Sequence, residues 1–141
     1  MWFIIPEVIK KEIEDQNLEF DGGIHAVEHA LIAISPIFAM CDRWDIGGLS
    51  TPLHPDTGNA TIFIYDGFEG GIGISETLYS KILPLWEKTL KLIDNCECKD
   101  GCPSCIYSPK CGNENKPLDK KAASIILKRL LTLIQPTQKE P

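Results

Sequence analysis

The spacing of apolar and polar positions along the 141-residue chain predicts more helix than strand. In four stretches apolar residues recur every three to four positions, which is the spacing of one helix face. Helices are therefore predicted over residues 6–17, 24–40, 75–95 and 118–134. Three short apolar runs have the length and composition of strands, at residues 2–5, 49–53 and 61–66. The pattern predicts an α+β domain that is mainly helical, with a small β-sheet.

Local breakers set the expected ends of these elements. Asp21-Gly22-Gly23 is expected to interrupt the chain before the second helix. Pro36 and Pro84 are expected to kink or end their helices, because proline lacks the backbone N–H of the helical ladder. Ser75 has the chemistry of an N-cap. Residues 1–135 are predicted to form one domain, followed by a flexible tail over 136–141.

Composition narrows the class of protein. Apolar residues make up 43% of the chain and charged residues 24%, the balance of a soluble globular domain. The longest apolar runs are far shorter than the roughly 20 residues that cross a bilayer, and no secretory signal is visible. A cytoplasmic protein without membrane contacts is expected.

The net charge of −6 is unevenly distributed. Residues 1–95 carry 6 basic and 15 acidic side chains, whereas residues 96–141 carry 8 basic and 5 acidic ones. An acidic surface repels a phosphate backbone, so any nucleic-acid contact is expected in the C-terminal third. The alternative is that both totals describe solvated surface only.

Five of the six cysteines lie within residues 96–111. In a chain without a secretory signal this density favours a metal site over disulfides. Zinc takes four thiolates in a tetrahedron, and Cys102-Pro103-Ser104-Cys105 supplies the usual two-residue spacer. A closed structural zinc knuckle before the C-terminal helix is predicted, with an iron–sulfur cluster or free thiols as alternatives. The preferred ligands are Cys96, Cys98, Cys102 and Cys105; in the alternative set Cys111 replaces Cys96.

Two weaker motifs remain. His25-Ala26-Val27-Glu28-His29 matches the H-x-x-E-H pattern of inverted zinc peptidases. On a helix the two imidazoles would share one face and could bind a metal, with Glu28 as general base. No third ligand is evident, so packing and hydrogen bonding to a neighbouring element is the preferred interpretation, and a metallohydrolase the alternative.

The second motif is the glycine-rich segment 67–73, between a predicted strand and a predicted helix. This is the arrangement of a phosphate cradle at a helix N-terminus. It lacks the Gly-Lys-Ser/Thr ending of a nucleotide-binding loop, and the carboxylates of Asp66, Glu69 and Glu76 would repel an anion. A tight strand-to-helix crossing is the preferred interpretation.

Three blocks of residues together resemble a known family. They are the H-x-x-E-H block at 23–31, the glycine-containing block at 45–73, and the block 98–120, which reads CKDGCPSC followed by CGNENKPLDK. The chain resembles, over about residues 2–134, the C-terminal zinc-binding domain of a family of superfamily-two DEAD/DEAH-box DNA helicases that includes the bacterial mitomycin-repair helicase.

The resemblance implies Zn²⁺ on Cys96, Cys98, Cys102 and Cys105, and a role in ATP-dependent DNA unwinding and repair. The chain has no Gly-Lys-Thr loop and no Asp-Glu-x-His box. We therefore expect a non-catalytic accessory domain, a fragment or separately encoded piece, that packs on helicase motor domains and reaches DNA through them. A zinc-stabilised protein-interaction module is the further alternative. The side chains expected nearest DNA are basic: Lys110, Lys116, Lys120, Lys121, Lys128 and Arg129.

Overall fold

The computed structural model describes residues 1–67, 73–109 and 111–139, with side chains as far as residue 134. It confirms a mainly helical α+β fold with the cysteine segment before the last helix. A short 3-10 helix at Arg43–Asp45 leads into the second strand. The other elements are β1 (Trp2–Ile5), α1 (Glu7–Asp15), α2 (Phe20–Phe38), β2 (Ile46–Thr51), β3 (Ala60–Asp66), α3 (Ile74–Ser80), α4 (Ile82–Asn95) and α5 (Lys120–Lys139).

The three strands form an antiparallel sheet in the order β1-β3-β2. Phe63 in the central strand lies opposite Trp2 on one side and Leu49 on the other. Alternate residues of a strand face opposite sides of the sheet, and the inner side is fully buried at Ile62 and Ile64. Helix α2 packs against this sheet and against α4 and α5, so it forms the centre of the core.

The expected break at Gly22-Gly23 is wrong, because both glycines lie inside α2. Their absent side chains make room for the start of α5. A Cβ on Gly23 would lie 2.7 Å from the Cβ of Ala122, and one on Gly22 would lie 3.0 Å from the backbone nitrogen of Asp119. The glycines therefore serve close helix packing and do not form a turn.

The predicted helix over 75–95 is two helices, α3 and α4, separated at Lys81. Pro84 lies in the first turn of α4, where its missing N–H costs no helical hydrogen bond. Ser75 is not an N-cap, since it lies within α3. The carboxylate of Asp66 accepts hydrogen bonds from the backbone N–H groups of Gly73 and Ser75 instead. An acidic residue of β3 thus caps the helix that follows it.

Helix α5 is fixed to the rest of the domain at its first turn. The carboxylate of Asp119 accepts a hydrogen bond from the backbone N–H of Ala122. It accepts another from the backbone N–H of Glu19, the residue that precedes α2. Its own N–H donates to the carbonyl of Gly22 at 3.0 Å. The helix extends to Lys139, beyond the predicted end at 134. Among the described residues no helix is both long and apolar enough to span a membrane.

Candidate metal centre

Four cysteine sulfurs converge between α4 and α5. The Sγ atoms of Cys96, Cys98, Cys102 and Cys105 all lie within 4.8 Å of one another. The separations that join neighbouring sulfurs are 3.4, 3.4, 3.6 and 3.8 Å. Sulfurs placed about 2.3 Å from a tetrahedral zinc lie about 3.8 Å apart. The cluster therefore has the donor set and the size of a four-thiolate zinc site.

The local sequence explains why the thiols meet. Cys96 follows the last residue of α4, and a tight turn returns the chain through hydrogen bonds from the N–H groups of Cys105 and Tyr107 to the carbonyl of Cys102. Gly101 has a φ of +130°, and a Cβ there would lie 2.7 Å from the side chain of Ile106. Ile106 is fully buried. It anchors the turn to the core.

Lys120, the first residue of α5, closes the cluster from one side. Its Nζ donates to the carbonyls of Cys96 and Cys98 at 2.9 and 2.6 Å, and to the Sγ of Cys98 at 3.1 Å. Burial raises the pKa of Cys98, but the ammonium of Lys120 and the neighbouring thiols outweigh it and lower that pKa to about 6. Burial and the neighbouring Cys98 raise the pKa of Cys105 to about 12. A bound divalent cation deprotonates such thiols outright.

Cys111 is separate from this cluster. Its Sγ lies 3.6 Å from the Nε2 of His25, and together with His29 these side chains form a second group of donors within 4.8 Å. Of the two ligand sets that the sequence leaves open, the geometry groups the one with Cys96. The Cys111 thiol instead lies beside the two histidines of the H-x-x-E-H motif, in the place of the third ligand that the motif itself lacks.

Both histidines bond to backbone of the segment that follows α4. The Nδ1 of His25 lies 2.8 Å from the carbonyl oxygen of Pro117, and that of His29 lies 2.8 Å from the carbonyl oxygen of Ile106. Burial, with help from the charges of His25 and Arg43, lowers the pKa of His29 to about 4. The expectation that these histidines bond to a neighbouring element agrees with these contacts.

Glu28 lies beside them under β2. Its carboxylate would be 2.9 Å from a Cβ on Gly48. Burial raises its pKa to about 7, against a hydrogen bond with Ser50 that lowers it. The carboxylate lines the same cleft of about 450 Å³ as His25, His29 and Cys111. The tight strand-to-helix crossing predicted for the glycine-rich segment 67–73 falls largely outside the described part of the chain, which omits residues 68–72.

The basic residues predicted to meet DNA occupy different settings. Lys116 and Lys121 are exposed, whereas Lys120 is bonded to the cysteine cluster. Lys128 pairs with Asp94 at 3.5 Å. Arg129 pairs with Glu12 at 2.8 Å, and Lys110 lies outside the described residues. Only part of the predicted basic surface thus projects freely from α5 and the segment before it.

Two of these relationships are not evident from the sequence alone. Nothing in the spacing around Lys120 indicates a hydrogen bond to the zinc loop. A weak signal for the second group does exist: a histidine pair lacks one ligand and a cysteine cluster has one cysteine in excess. Together these two features suggest a pairing of Cys111 with the histidines, but only the fold brings the residues together.

Comparison with known proteins decides the family. Residues 27–106 match the model of the MrfA Zn-binding domain. The chain belongs to the MrfA Zn-binding domain family. Zinc is accordingly its metal, and the four-cysteine cluster is the site whose donors suit it. An uncharacterized protein of Methanocaldococcus jannaschii is 49% identical over 114 residues, which are 77% of this chain and all of that relative.

Helicases are among the further relatives of this chain. The ATP-dependent helicase YprA of Bacillus subtilis is 38% identical over 67% of this chain and 14% of its own length. A crystal structure of the DUF1998 helicase MrfA bound to DNA superimposes with a TM-score of 0.66 and 32% identity, covering 79% of this chain and 14% of MrfA. The chain therefore spans about one seventh of the helicases that it matches.

Proposed function

We propose that this MrfA-type zinc-binding domain is a non-catalytic accessory domain of an ATP-dependent DNA helicase that acts in DNA repair. In this role it packs on the helicase motor and assists the engagement of a DNA strand. The observation that carries the proposal is the fold shared with DNA-bound MrfA at 32% identity. The domain is proposed to have no catalytic activity of its own.

Zinc has a structural role in this proposal. The four cysteines connect the end of α4 with the turn before α5, and Lys120 attaches α5 to the same loop. A closed set of four thiolates leaves no position for substrate. The metal would therefore fix the direction in which α5 and the segment 111–119 project from the core.

The outer face of the sheet has the exposed apolar side chains expected of a surface that contacts a helicase motor. Apolar side chains stand in a row across it, and Trp2, Leu49 and Tyr65 are 54, 54 and 52% exposed. Contiguous exposed apolar surface on a small domain marks an interaction site. We define the sheet surface as Trp2, Leu49, Phe63 and Tyr65. Its proposed occupant is a helicase motor, because the helicase relatives contain this domain within chains about seven times as long.

A binding measurement tests the docking surface. The ligand is the purified ATPase motor of an MrfA-type helicase, and Leu49→Asp places a charge on the sheet surface, beside Phe63. We expect the variant to lose binding or stimulation of the motor's ATPase by tenfold or more. Val8→Asp is the matched control, since Val8 is 66% exposed on α1 and outside the sheet surface. Equal binding by both variants and wild type would overturn the docking role.

DNA contact is assigned to the exposed lysines. Lys116 precedes α5 and Lys121 lies in its first turn. Phosphate contacts made by such lysines weaken steeply as salt rises. Anisotropy of a labelled single-stranded oligonucleotide at two salt concentrations measures the effect on the isolated chain. Lys116→Glu/Lys121→Glu should reduce binding several-fold and flatten the salt dependence.

The matched control is Lys11→Glu/Lys88→Glu, which makes the same change of charge at exposed positions of α1 and α4. An equal loss in both double variants would reduce the effect to net charge and would contradict a specific DNA surface. Absence of binding by the wild-type chain at low salt would also contradict it, and would leave the zinc fold as a protein-interaction module.

A further inference from the structure

A second set of metal donors lies outside the four-cysteine cluster. The Nε2 of His25 and the Sγ of Cys111 are 3.6 Å apart, and His29 joins them within 4.8 Å. Zinc binds imidazole nitrogen at about 2.0–2.1 Å and thiolate sulfur at about 2.3 Å. In a tetrahedron such bonds place N and S about 3.6 Å apart. The observed separation is that of two ligands on one metal.

The hydrogen bonds of the histidines fix which nitrogen is available. A carbonyl oxygen only accepts, so each Nδ1 that faces one must carry the proton. His25 donates to Pro117 and His29 to Ile106, both at 2.8 Å. Each Nε2 is then left with its lone pair. A carbonyl that orients the far side of a histidine in this way is the usual outer support of a metal-bound imidazole.

The two imidazole rings lie against each other. Among the described contacts, the partner found for these lone pairs is the thiol of Cys111, which lies 3.6 Å from the Nε2 of His25. Their centroids are 4.2 Å apart, and both residues are buried, with 9 and 5% exposure. Residues four apart on α2 lie on one face of the helix. The single S–H of Cys111 can donate to only one of these lone pairs, whereas a cation bound by the Cys111 thiolate would be shared by both nitrogens.

We propose that His25, His29 and Cys111 bind a second divalent transition metal, of the zinc class, independently of the four-cysteine site. Imidazole and thiolate together select zinc and its chemical neighbours over magnesium or calcium. Three donors would leave a tetrahedral ion one further position, and they line the same cleft as Asp21, Ser50 and Asn113. That position would take water or a small exogenous ligand. The metal would also join α2 to the segment after the zinc knuckle.

Metal analysis of the purified chain tests this site. We expect two zinc ions per wild-type chain. Cys111→Ser should keep one, and so should His29→Asn, whose amide preserves the hydrogen bond to Ile106 while removing the Nε2 donor. Cys41→Ser is the matched control, because Cys41 belongs to neither group of donors, and it should keep two.

Cobalt substitution provides a second readout. With both sites filled by Co²⁺, thiolate-to-metal charge-transfer absorption arises from five sulfurs in the wild type and from four in Cys111→Ser. Its intensity should fall by about one fifth, while the four-cysteine signal persists. The same signal shows that the variant is folded.

One zinc per wild-type chain, unchanged in Cys111→Ser and His29→Asn, would overturn the second site and leave the helicase role intact. Loss of all zinc in Cys111→Ser while His29→Asn keeps the wild-type count would also overturn it, because Cys111 would then belong to the knuckle. Failure of the DNA and motor experiments would leave the count of two unaffected.

Discussion

The Nζ of Lys120 lies 3.1 Å from the Sγ of Cys98, so the first residue of α5 is bonded directly to the zinc knuckle. The same ammonium also donates to the carbonyls of Cys96 and Cys98. One side chain thereby balances the negative charge of a thiolate and fixes the start of a helix. Structural metal and helix placement are coupled through this residue.

Removing that ammonium should weaken zinc binding. Lys120→Met retains the aliphatic stem but loses the hydrogen bonds, and changes around metal ligands typically reduce affinity about 10- to 100-fold. Competition with a chromophoric chelator measures the affinity of the cluster. Lys121→Met, which makes the same change at the next, exposed residue, should bind zinc as the wild type does. Equal affinities in the two variants would show that Lys120 has no influence on the metal.

Loss of a cluster ligand should unfold one part of the domain and spare another. Cys102→Ser removes one of four ligands, and the binding energy of a structural zinc is also folding energy. The inner face of the sheet and α2 have their own core at Ile62, Ile64 and Leu31. Hydrogen exchange should therefore accelerate in residues 96–119 and at the start of α5 but stay slow in β3. Uniform acceleration along the chain would instead indicate one cooperative unit.

The helices and strands could be predicted because their apolar spacing is local. The third strand, residues 61–66 as predicted, is observed at Ala60–Asp66. The helix boundary at Gly22-Gly23 could not be predicted, because glycine propensity describes an isolated helix. In the folded chain the same glycines accommodate Ala122 and Asp119 from a segment a hundred residues away.

Gly23→Ala tests that packing. On propensity alone alanine would stabilise a helix by about 1 kcal/mol. The added methyl would overlap Ala122 and the Cδ1 of Ile126, at 2.7 and 2.9 Å, and overpacking of a core typically costs about 1–3 kcal/mol. Chemical denaturation should show a net loss of stability. Gly112→Ala, where a Cβ meets nothing within 4 Å, should be nearly neutral; a gain in Gly23→Ala would refute the packing role.

The candidate site, like the fold, could be predicted from the sequence only in part. The four-cysteine set spans only ten residues, and its compact spacing points to the same four sulfurs that the structure brings together. The placement of Cys111 depends on how the segment 106–119 crosses α2, with Ile106 and Pro117 bonded to the two histidines. Such tertiary contacts leave no periodic trace in the sequence. The sequence likewise does not distinguish the basic residues of α5, because Lys128 and Arg129 pair with Asp94 and Glu12 on other helices.

The ion pair between Glu12 and Arg129 connects α1 with α5 and gives the domain a predictable response to acid. The Nε of Arg129 lies 2.8 and 3.0 Å from the two carboxylate oxygens. The hydrogen bond to this guanidinium is the largest influence on Glu12 and holds its pKa below the ordinary 4.5. The carboxylate is therefore more acidic in the folded chain than in the unfolded chain.

The sign follows from proton linkage. Stability from this pair is present above the unfolded pKa of Glu12 and is lost as the pH falls through the lower folded value. Glu12→Gln should thus lower the Tm at neutral pH, and its difference from wild type should shrink in acid and in high salt, which screens exposed charges. Thermal unfolding measured from neutral pH into acid, at low and at high salt, checks the dependence on pH and the dependence on salt. Glu14→Gln, two residues along and so on another side of α1, is the control, and an equal pH dependence in both variants would exclude the ion pair as the cause.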